Sequence, residues 1–234
     1  STIIETLKVI PSNVDLAGAE IELVGRTNRE KTLSGVLNGV GDEYEFVIID
    51  CPPSLGLLTI NALSAVDEVF LPLQPHFLAL HGLSKLLRTI DVVSQRLNDR
   101  LQLTGVVLCM YDSGTRLAGE VTGDVEQFFA GQAETGKAWA QAKTFATRIR
   151  RNIRLAEAPS FGQSIFQYSP KSPGAADYRA LAEEVHYQTC QQEEASSTEN
   201  VKPSLAKGLQ TFLTPIKSQL SELSALEATQ MATG

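Results

Sequence analysis

The sequence lacks the features of a membrane-spanning or secreted protein. None of its 234 residues belongs to an unbroken apolar run of about 18 residues, the length that crosses a bilayer as a helix. Residues 1–30 contain no charged segment followed by an apolar core, so a signal peptide is not indicated. We therefore expect a cytoplasmic protein.

The sequence is also poor in residues that build disulfides or metal centres. Its three cysteines, Cys51, Cys109 and Cys190, are far apart and lack the paired spacing of metal ligands or of a disulfide framework. The three histidines form no cluster either. A net charge of -7 argues against attraction of the whole surface to nucleic acid, although a local basic patch can override the total.

Apolar runs that alternate with helical patterns are the main structural signal. The runs contain no alternating polar residues, which is typical of parallel strands covered on both faces. They predict an α/β fold with strands at Phe46–Asp50, Glu68–Leu73 and Leu103–Met110, and helices at about residues 55–65 and 79–97.

Weaker patterns predict the remaining elements. Short strands are predicted at Leu7–Pro11, Thr144–Ile149 and Ser164–Tyr168, and helices at about residues 27–37, 117–129 and 174–188. Residues 130–143, rich in Ala, Gln and Gly, indicate an insertion or flexible loop outside the core. Residues 191–203 indicate a polar linker, and residues 204–234 an amphipathic helical tail that Pro215 would kink.

Asp50 is a candidate metal-directing acid. It ends a predicted strand and is followed at once by Pro52 and Pro53, and ligands bind at the carboxyl ends of parallel strands. One aspartate that holds a coordinated water is sufficient for Mg²⁺, and the following turn would then respond to a γ-phosphate. The alternative is that Asp50 only caps the turn.

A phosphate-binding loop does not occur in the sequence. The motif G-x-x-x-x-G-K-[ST] supplies inward N–H groups and a lysine, and the only Gly-Lys pair, Gly136-Lys137, is followed by alanine. The sequence thus contains the metal half of a nucleotide site without its phosphate half.

A basic run follows later in the chain. No acid occurs between Glu134 and Glu157, where six basic residues form a candidate DNA contact: Lys137, Lys143, Arg148, Arg150, Arg151 and Arg154. The alternatives are a solvated loop or arginines that face a nucleotide. No base-reading motif is present, so DNA binding would be independent of sequence.

Several segments together resemble a known family, the ParA/Soj-type chromosome and plasmid partition ATPases of the deviant Walker P-loop class. The similarity spans about residues 3–188. It is carried by Val9–Ser12, Leu16–Leu23, Tyr44–Leu63, Ala79–Leu83, Asn152–Ser160 and Pro170–Tyr178.

The resemblance implies a three-layer P-loop NTPase-like fold with a mostly parallel sheet, formed by a partial ATPase domain at residues 1–190. It implies ATP and Mg²⁺ as cofactors, an ATP-dependent homodimer, non-specific DNA, and a ParB/Spo0J-like partner on the nucleoid, with no membrane. The implied roles are catalysis and water-mediated Mg²⁺ binding for Asp50, the second switch for Cys51, Pro52, Pro53 and Ser54, nucleotide binding for Arg151 and Asn152, and DNA binding for Arg154. Arg148, Arg150 and Arg116 are added to the DNA set as neighbouring basic residues.

Three departures from the family pattern qualify these expectations. The family's first strands and its lysine-bearing phosphate loop would precede Ser1, so we expect a fragment that is inactive as an ATPase by itself. Arg150 stands where the family has proline, and Gly114 where relatives carry a DNA-binding arginine, with Arg116 nearby. The alternatives are a catalytically inactive interaction module and a MinD-like membrane-positioning ATPase, the latter opposed by the few basic residues of the tail.

Overall fold

The computed structural model describes residues 4, 6–40, 43–52, 54–76, 79–132 and 135–198. The chain divides into two units, residues 1–181 and 182–234. The predicted tail at residues 204–234 lies outside the described part. Among the described residues, no helix combines the length and the hydrophobicity needed to cross a membrane.

Three parallel strands form the sheet of the described chain, in the order β1-β2-β3. Their bounds are Glu68–Leu73, Gln102–Tyr111 and Lys143–Arg150. In the central pairings, Leu71 lies opposite Val106 and Leu73 opposite Leu108. The α/β fold and the parallel sheet predicted from the apolar runs are confirmed.

The helices connect and flank these strands. In chain order they are α1 (Leu16–Leu23), α2 (Thr32–Leu37), α3 (Leu57–Ala65), α4 (Ala79–Arg96), α5 (Arg116–Ala130), α6 (Ile153–Glu157), α7 (Ile165–Tyr168) and α8 (Pro173–Thr198), with 3₁₀ turns at Arg29–Lys31 and Ala158–Phe161. Since α8 continues to Thr198, residues 191–198, predicted as part of a polar linker, are helical.

The main core lies where α4 and α5 pack against the sheet. Leu83, Leu87, Ile90 and Val93 recur at helical spacing on one face of α4 and are at most 3% exposed. They join one buried cluster with residues of β2 and α5, including Val106, Leu108, Val121 and Val125. Each such side chain contributes roughly 1.5–3 kcal/mol of hydrophobic stabilisation, so burial of this apolar face favours the position of α4 on the sheet.

The strand predicted at Phe46–Asp50 is wrong in the structure. Residues 46–50 are irregular, and Phe46, Val47 and Ile48 are 46%, 43% and 89% exposed. A parallel strand needs a hydrogen-bonded neighbour and cover on both faces, and β1, the nearest edge in sequence, pairs only with β2 among the described strands. The strand predicted at Leu7–Pro11 is likewise irregular and exposed.

Ser164–Tyr168, predicted as a strand, instead contains the short helix α7. The Ser164 side chain accepts a hydrogen bond from the Gln167 N–H, and the Gln167 side chain accepts one from the Ser164 N–H. This reciprocal capping box stabilises a helical turn and outweighs the short alternating pattern that favoured a strand. The strand predicted at Thr144–Ile149 is confirmed as β3.

The segment before β3, predicted to lie outside the core, contributes to it. Trp139 is 5% exposed, and its ring stacks on Phe128 with centroids 5.6 Å apart. The Leu103 N–H donates to the carbonyl of Ala138 at 2.8 Å, which connects the segment to β2. The small and polar residues of this segment predict a loop outside the core, but its one large aromatic residue, Trp139, packs into the core.

Candidate functional site

The carboxyl ends of the strands form one edge of the sheet, which we call the carboxyl edge. Tyr111 ends β2 and lies opposite Arg150, which ends β3. The N–H of the next residue, Arg151, donates to the Tyr111 carbonyl at 3.1 Å. This bond holds residues 150–154, the β3–α6 turn, at the edge where ligands bind in α/β sheets.

Asn152 begins α6 as its N-cap. Its backbone is extended, and its Oδ1 accepts a hydrogen bond from the Arg154 N–H at 2.8 Å. Such a cap satisfies one of the N–H groups left unpaired at a helix start. The side-chain oxygen of this predicted nucleotide ligand therefore has a structural role in the turn.

Arg154 belongs to a small polar cluster on α6 and α7. Its Nη1 donates to Glu157 Oε2 at 2.8 Å, and the Tyr168 hydroxyl donates to the same oxygen at 3.0 Å. The hydrogen bonds from Arg154 and then Tyr168 lower the pKa of Glu157, while the same contacts raise the pKa of Arg154. The Arg154 side chain is 53% exposed, so its pairing with Glu157 is weak enough for a phosphate to replace.

Arg148 packs on Tyr111 near the end of β3. The guanidinium carbon lies 4.6 Å from the ring centroid, and Nη1 donates to the Tyr111 hydroxyl at 2.8 Å. Tyr111 is not an anion, and within the described ranges no ion pair to Arg148 occurs, so its positive charge stays unpaired there at an exposed position.

Arg150 makes the best-formed ion pair of the described chain. Its Nη2 lies 2.6 Å from Oδ1 of Asp177, a residue of α8 that is only 7% exposed. Burial alone would raise the pKa of Asp177, but the side-chain and backbone hydrogen bonds from Arg150 outweigh it and lower that pKa.

The structure divides the predicted basic run between two edges of the sheet. Lys143 begins β3 and Arg150 ends it, a separation of about 23 Å at 3.3 Å per residue. Lys137, before the strand, lies over the Trp139 ring at 4.5 Å. Only the later arginines of the predicted basic run therefore lie at the carboxyl edge, and a DNA contact by the whole run stays a prediction.

Arg116, the other predicted DNA contact, lies in the first turn of α5. Its Nε donates to Glu120 one turn later at 2.7 Å, and its side chain is 92% exposed. Nearby, the Gly114 N–H donates to Asp112 Oδ1 at 3.0 Å, which forms the turn that precedes the helix.

The predicted switch segment follows the irregular residues 46–50. Asp50, Cys51 and Pro52 are exposed, whereas Pro53 lies outside the described residues. Partial burial of the Cys51 thiol and the adjacent Asp50 carboxylate raise the pKa of Cys51, which keeps it protonated at neutral pH. The Ser54 carbonyl accepts a hydrogen bond from the Thr59 hydroxyl at 2.6 Å.

The first turn of α3, directly after that segment, is occupied by a carboxylate. Glu20 Oε1 accepts a hydrogen bond from the Leu57 N–H at 2.7 Å. A side chain at Gly56 would meet the same oxygen, so only glycine permits this approach. An acid from α1 therefore satisfies the helix start that follows the predicted switch.

Metal-ligating side chains are not clustered in the described part of the chain. Within the described ranges no group of three or more His, Cys, Asp or Glu side chains could hold a metal ion. Asp50 is exposed in an irregular segment, and the sequence contains no phosphate-binding loop. A single aspartate that holds a coordinated water needs no such cluster, so the metal and catalytic roles of Asp50 stay predictions.

Comparison with known proteins identifies the family. A protein-family model described as "AAA domain" matches residues 1–103. The sequence is 47% identical over 185 residues to the sporulation initiation inhibitor protein Soj of Bacillus subtilis, a match that covers 79% of this chain and 69% of that protein. The chain belongs to the Soj/ParA family of chromosome-partitioning ATPases.

One further relative supports this assignment, and one solved structure supports the fold. The chromosome partitioning protein ParA of Myxococcus xanthus is 46% identical over 179 residues, covering 76% of this chain and 59% of its own. Cobyrinic acid a,c-diamide synthase from Mycobacterium smegmatis, solved with bound ADP and magnesium, is 38% identical with a TM-score of 0.58, covering 74% of this chain and 59% of that one. The chain thus spans about 59–69% of these proteins, and whether a phosphate-loop portion precedes Ser1 stays a prediction.

In this Soj/ParA-family chain the arginines are recognisable in the sequence, but their partners are not. Asp177 accepts hydrogen bonds from Arg150, and Glu157 accepts them from Arg154 and from the Tyr168 hydroxyl; none of the three partners is a candidate from the sequence. Glu157 is signalled by its position three residues after Arg154 on one helix. Asp177 gives no local signal, because 27 residues separate it from Arg150.

Proposed function

We propose that this chain acts in the partition of a chromosome or plasmid, as a cytoplasmic, nucleoid-associated protein that binds DNA without reading its sequence. The single observation that carries the proposal is the pair of exposed arginines, Arg151 and Arg154, on the β3–α6 turn of a Soj/ParA-family chain. A ParB/Spo0J-like protein is the proposed partner.

The DNA contact is proposed at the carboxyl edge. Within the described part of the chain, the Arg151 side chain has no hydrogen-bond acceptor or ion-pair partner, and the 53% exposed Arg154 side chain is paired with the half-buried Glu157. Arg148 adds a charge whose contacts are aromatic. Guanidinium groups on a short turn can reach phosphates but offer no element for the major groove, so binding would be sequence-independent.

We propose ATP and Mg²⁺ binding and ATP-dependent dimerisation only for a protein in which Asp50 and the segment Cys51 to Ser54 act together with a phosphate-binding loop. In such a protein Asp50 would direct Mg²⁺, and Cys51 to Ser54 would form the switch. The support is family membership.

DNA binding is tested by fluorescence anisotropy with two labelled duplexes of unrelated sequence. We expect the two affinities to agree within about twofold and the double variant Arg151→Ala/Arg154→Ala to bind both about tenfold more weakly, because phosphate contacts act on every sequence alike.

Arg100→Ala is the matched control for that experiment. Arg100 is also exposed and paired with an acid, Asp67 at 3.2 Å, but it precedes β2 at the opposite edge of the sheet. We expect its removal to change DNA affinity by less than about twofold. Equal affinity of the double variant and the wild-type chain would contradict the proposed function.

A catalytically inactive interaction module is the second candidate. The observation that favours it is that residues 46–50, which end at Asp50, are irregular and do not form a strand. It predicts that the chain binds its partner without ATP. The MinD-like alternative has less support, because the similar ParA of Myxococcus xanthus is a chromosome partitioning protein.

A further inference from the structure

We propose that the Arg150–Asp177 ion pair positions the β3–α6 turn for DNA contact, and that Arg150 does not itself bind DNA. This inference rests on the proposed function. It reverses the expectation from the sequence, which counted Arg150 among the DNA contacts because of its charge.

The geometry of the pair leaves no acceptor position of Asp177 for another group. Oδ1 accepts from Nε at 3.1 Å and Nη2 at 2.6 Å of Arg150, while Oδ2 accepts from its Nε at 3.0 Å. The Arg150 backbone N–H also donates to Oδ2 at 3.0 Å. Both the side chain and the main chain of residue 150 are therefore fixed to one carboxylate of α8.

A second contact holds the other side of the turn. A side chain at Gly174 would lie 2.6 Å from Cγ of Leu155, so the first turn of α8 rests directly on α6. The Ser172 hydroxyl accepts the Ala175 N–H at 3.2 Å and begins α8 at this point. The start of α8 thus contacts the chain before and after Arg151 and Arg154.

The free-energy cost of giving up its partner for a phosphate differs between Arg150 and Arg154. A phosphate that recruited the Arg150 guanidinium would leave the carboxylate of Asp177, 9% exposed at its side chain, without its partner. Leaving a buried charge unpaired is strongly unfavourable, whereas the half-buried Glu157 keeps a hydrogen bond from the Tyr168 hydroxyl when the exposed Arg154 leaves it, so that exchange costs less. Arg150 is therefore retained by the protein, and Arg151 and Arg154 are presented to DNA.

Two conservative variants test the inference in the full chain, each measured for DNA affinity and for amide hydrogen exchange. Arg150→Lys keeps the charge but cannot form the bidentate pair. Asp177→Asn keeps the shape, removes one acceptor and releases Arg150. In both variants we expect the amide hydrogens of residues 151–155 to exchange about tenfold faster than in the wild-type chain. We also expect both variants to bind DNA about threefold to tenfold more weakly, because a mobile turn loses conformational entropy when it becomes ordered on binding.

A direct contact of Arg150 with DNA gives the opposite pattern. Arg150→Lys would then retain most of the affinity, and Asp177→Asn would strengthen binding, since it removes a negative charge and frees a guanidinium. That result, or unchanged amide exchange in both variants, would overturn the inference about Arg150. The proposed function would remain intact as long as the wild-type chain binds DNA. If the wild-type chain does not bind DNA, the proposed function itself is wrong, and the DNA role of the pair with it. Arg100→Lys is the control and should change neither measurement.

Discussion

Asp177 is a buried carboxylate that remains ionised because of the hydrogen bonds it accepts. Desolvation acts to raise its pKa, and the guanidinium and backbone N–H of Arg150 act against it more strongly. Its ionised form is therefore stabilised relative to an aspartate in the unfolded chain, whose ordinary pKa is 3.8. Unfolding stability must then depend on pH through this group.

We expect that dependence to disappear in Asp177→Asn. The lowered pKa makes the ion pair contribute fully above the ordinary value of 3.8, and the contribution is lost as the pH falls through the lower folded-state value. The free energy of unfolding, measured in urea, should thus differ between wild type and variant by a constant amount above about pH 5 and by less below pH 3.8. A difference that does not shrink on acidification would contradict this assignment.

Gly174 allows α8 to approach α6, and Gly174→Ala should therefore destabilise the protein. The added carbon would meet the branched end of Leu155, and overpacking of this kind costs about 1–2 kcal/mol. The control is Gly123→Ala in α5, where no neighbouring atom lies within 4 Å. Alanine should stabilise that helix by up to about 1 kcal/mol, so thermal unfolding should shift in opposite directions. Shifts of the same sign would show that Leu155 does not restrict this position.

Individual site residues were only partly predictable from the sequence. Arg154 and Arg151 were recognisable, because positive charge without nearby acids is visible along the chain. The role of Arg150 was not, because its acceptor is 27 residues away and is brought close only by the packing of α8. Asn152 was recognisable as part of a motif, yet its cap to the Arg154 N–H follows from backbone geometry.

Some helices and strands are likewise predictable from their own segment of sequence, whereas others depend on contacts with distant residues. The pattern of α4 and the apolar run of β2 predict their own positions, since helix periodicity and continuous hydrophobicity are properties of the segment. Phe46–Ile49 has an equally apolar pattern but is a strand only if a neighbour pairs with it. Trp139 reaches the core through packing on Phe128, a contact that composition does not reveal.

Ile48 offers a direct test of the irregular segment. It is 89% exposed, so Ile48→Lys should change the free energy of unfolding by less than about 0.5 kcal/mol. Leu108→Lys in β2, where the side chain is 0% exposed, is the comparison and should cost more than about 4 kcal/mol or prevent folding. A large loss of stability for the Ile48 variant would mean that residues 46–49 are buried as a strand.

For the whole molecule, the sign of the net charge does not decide the proposed partner. The chain carries -7 overall, yet the arginines of the β3–α6 turn lie together at one edge of the sheet. DNA responds to the local potential within about 10 Å at moderate salt, so a small positive edge on an acidic protein can suffice. Binding through so few charges should be weak and strongly dependent on salt.

The salt dependence of DNA binding tests the central claim most directly. We expect the logarithm of the association constant to fall linearly with the logarithm of the KCl concentration. The double variant Arg151→Ala/Arg154→Ala should reduce the magnitude of this slope by about 1.8, because each lost phosphate contact removes about 0.9. Arg100→Ala should leave the slope unchanged. Identical slopes for the wild-type chain and the double variant would contradict DNA binding at the carboxyl edge.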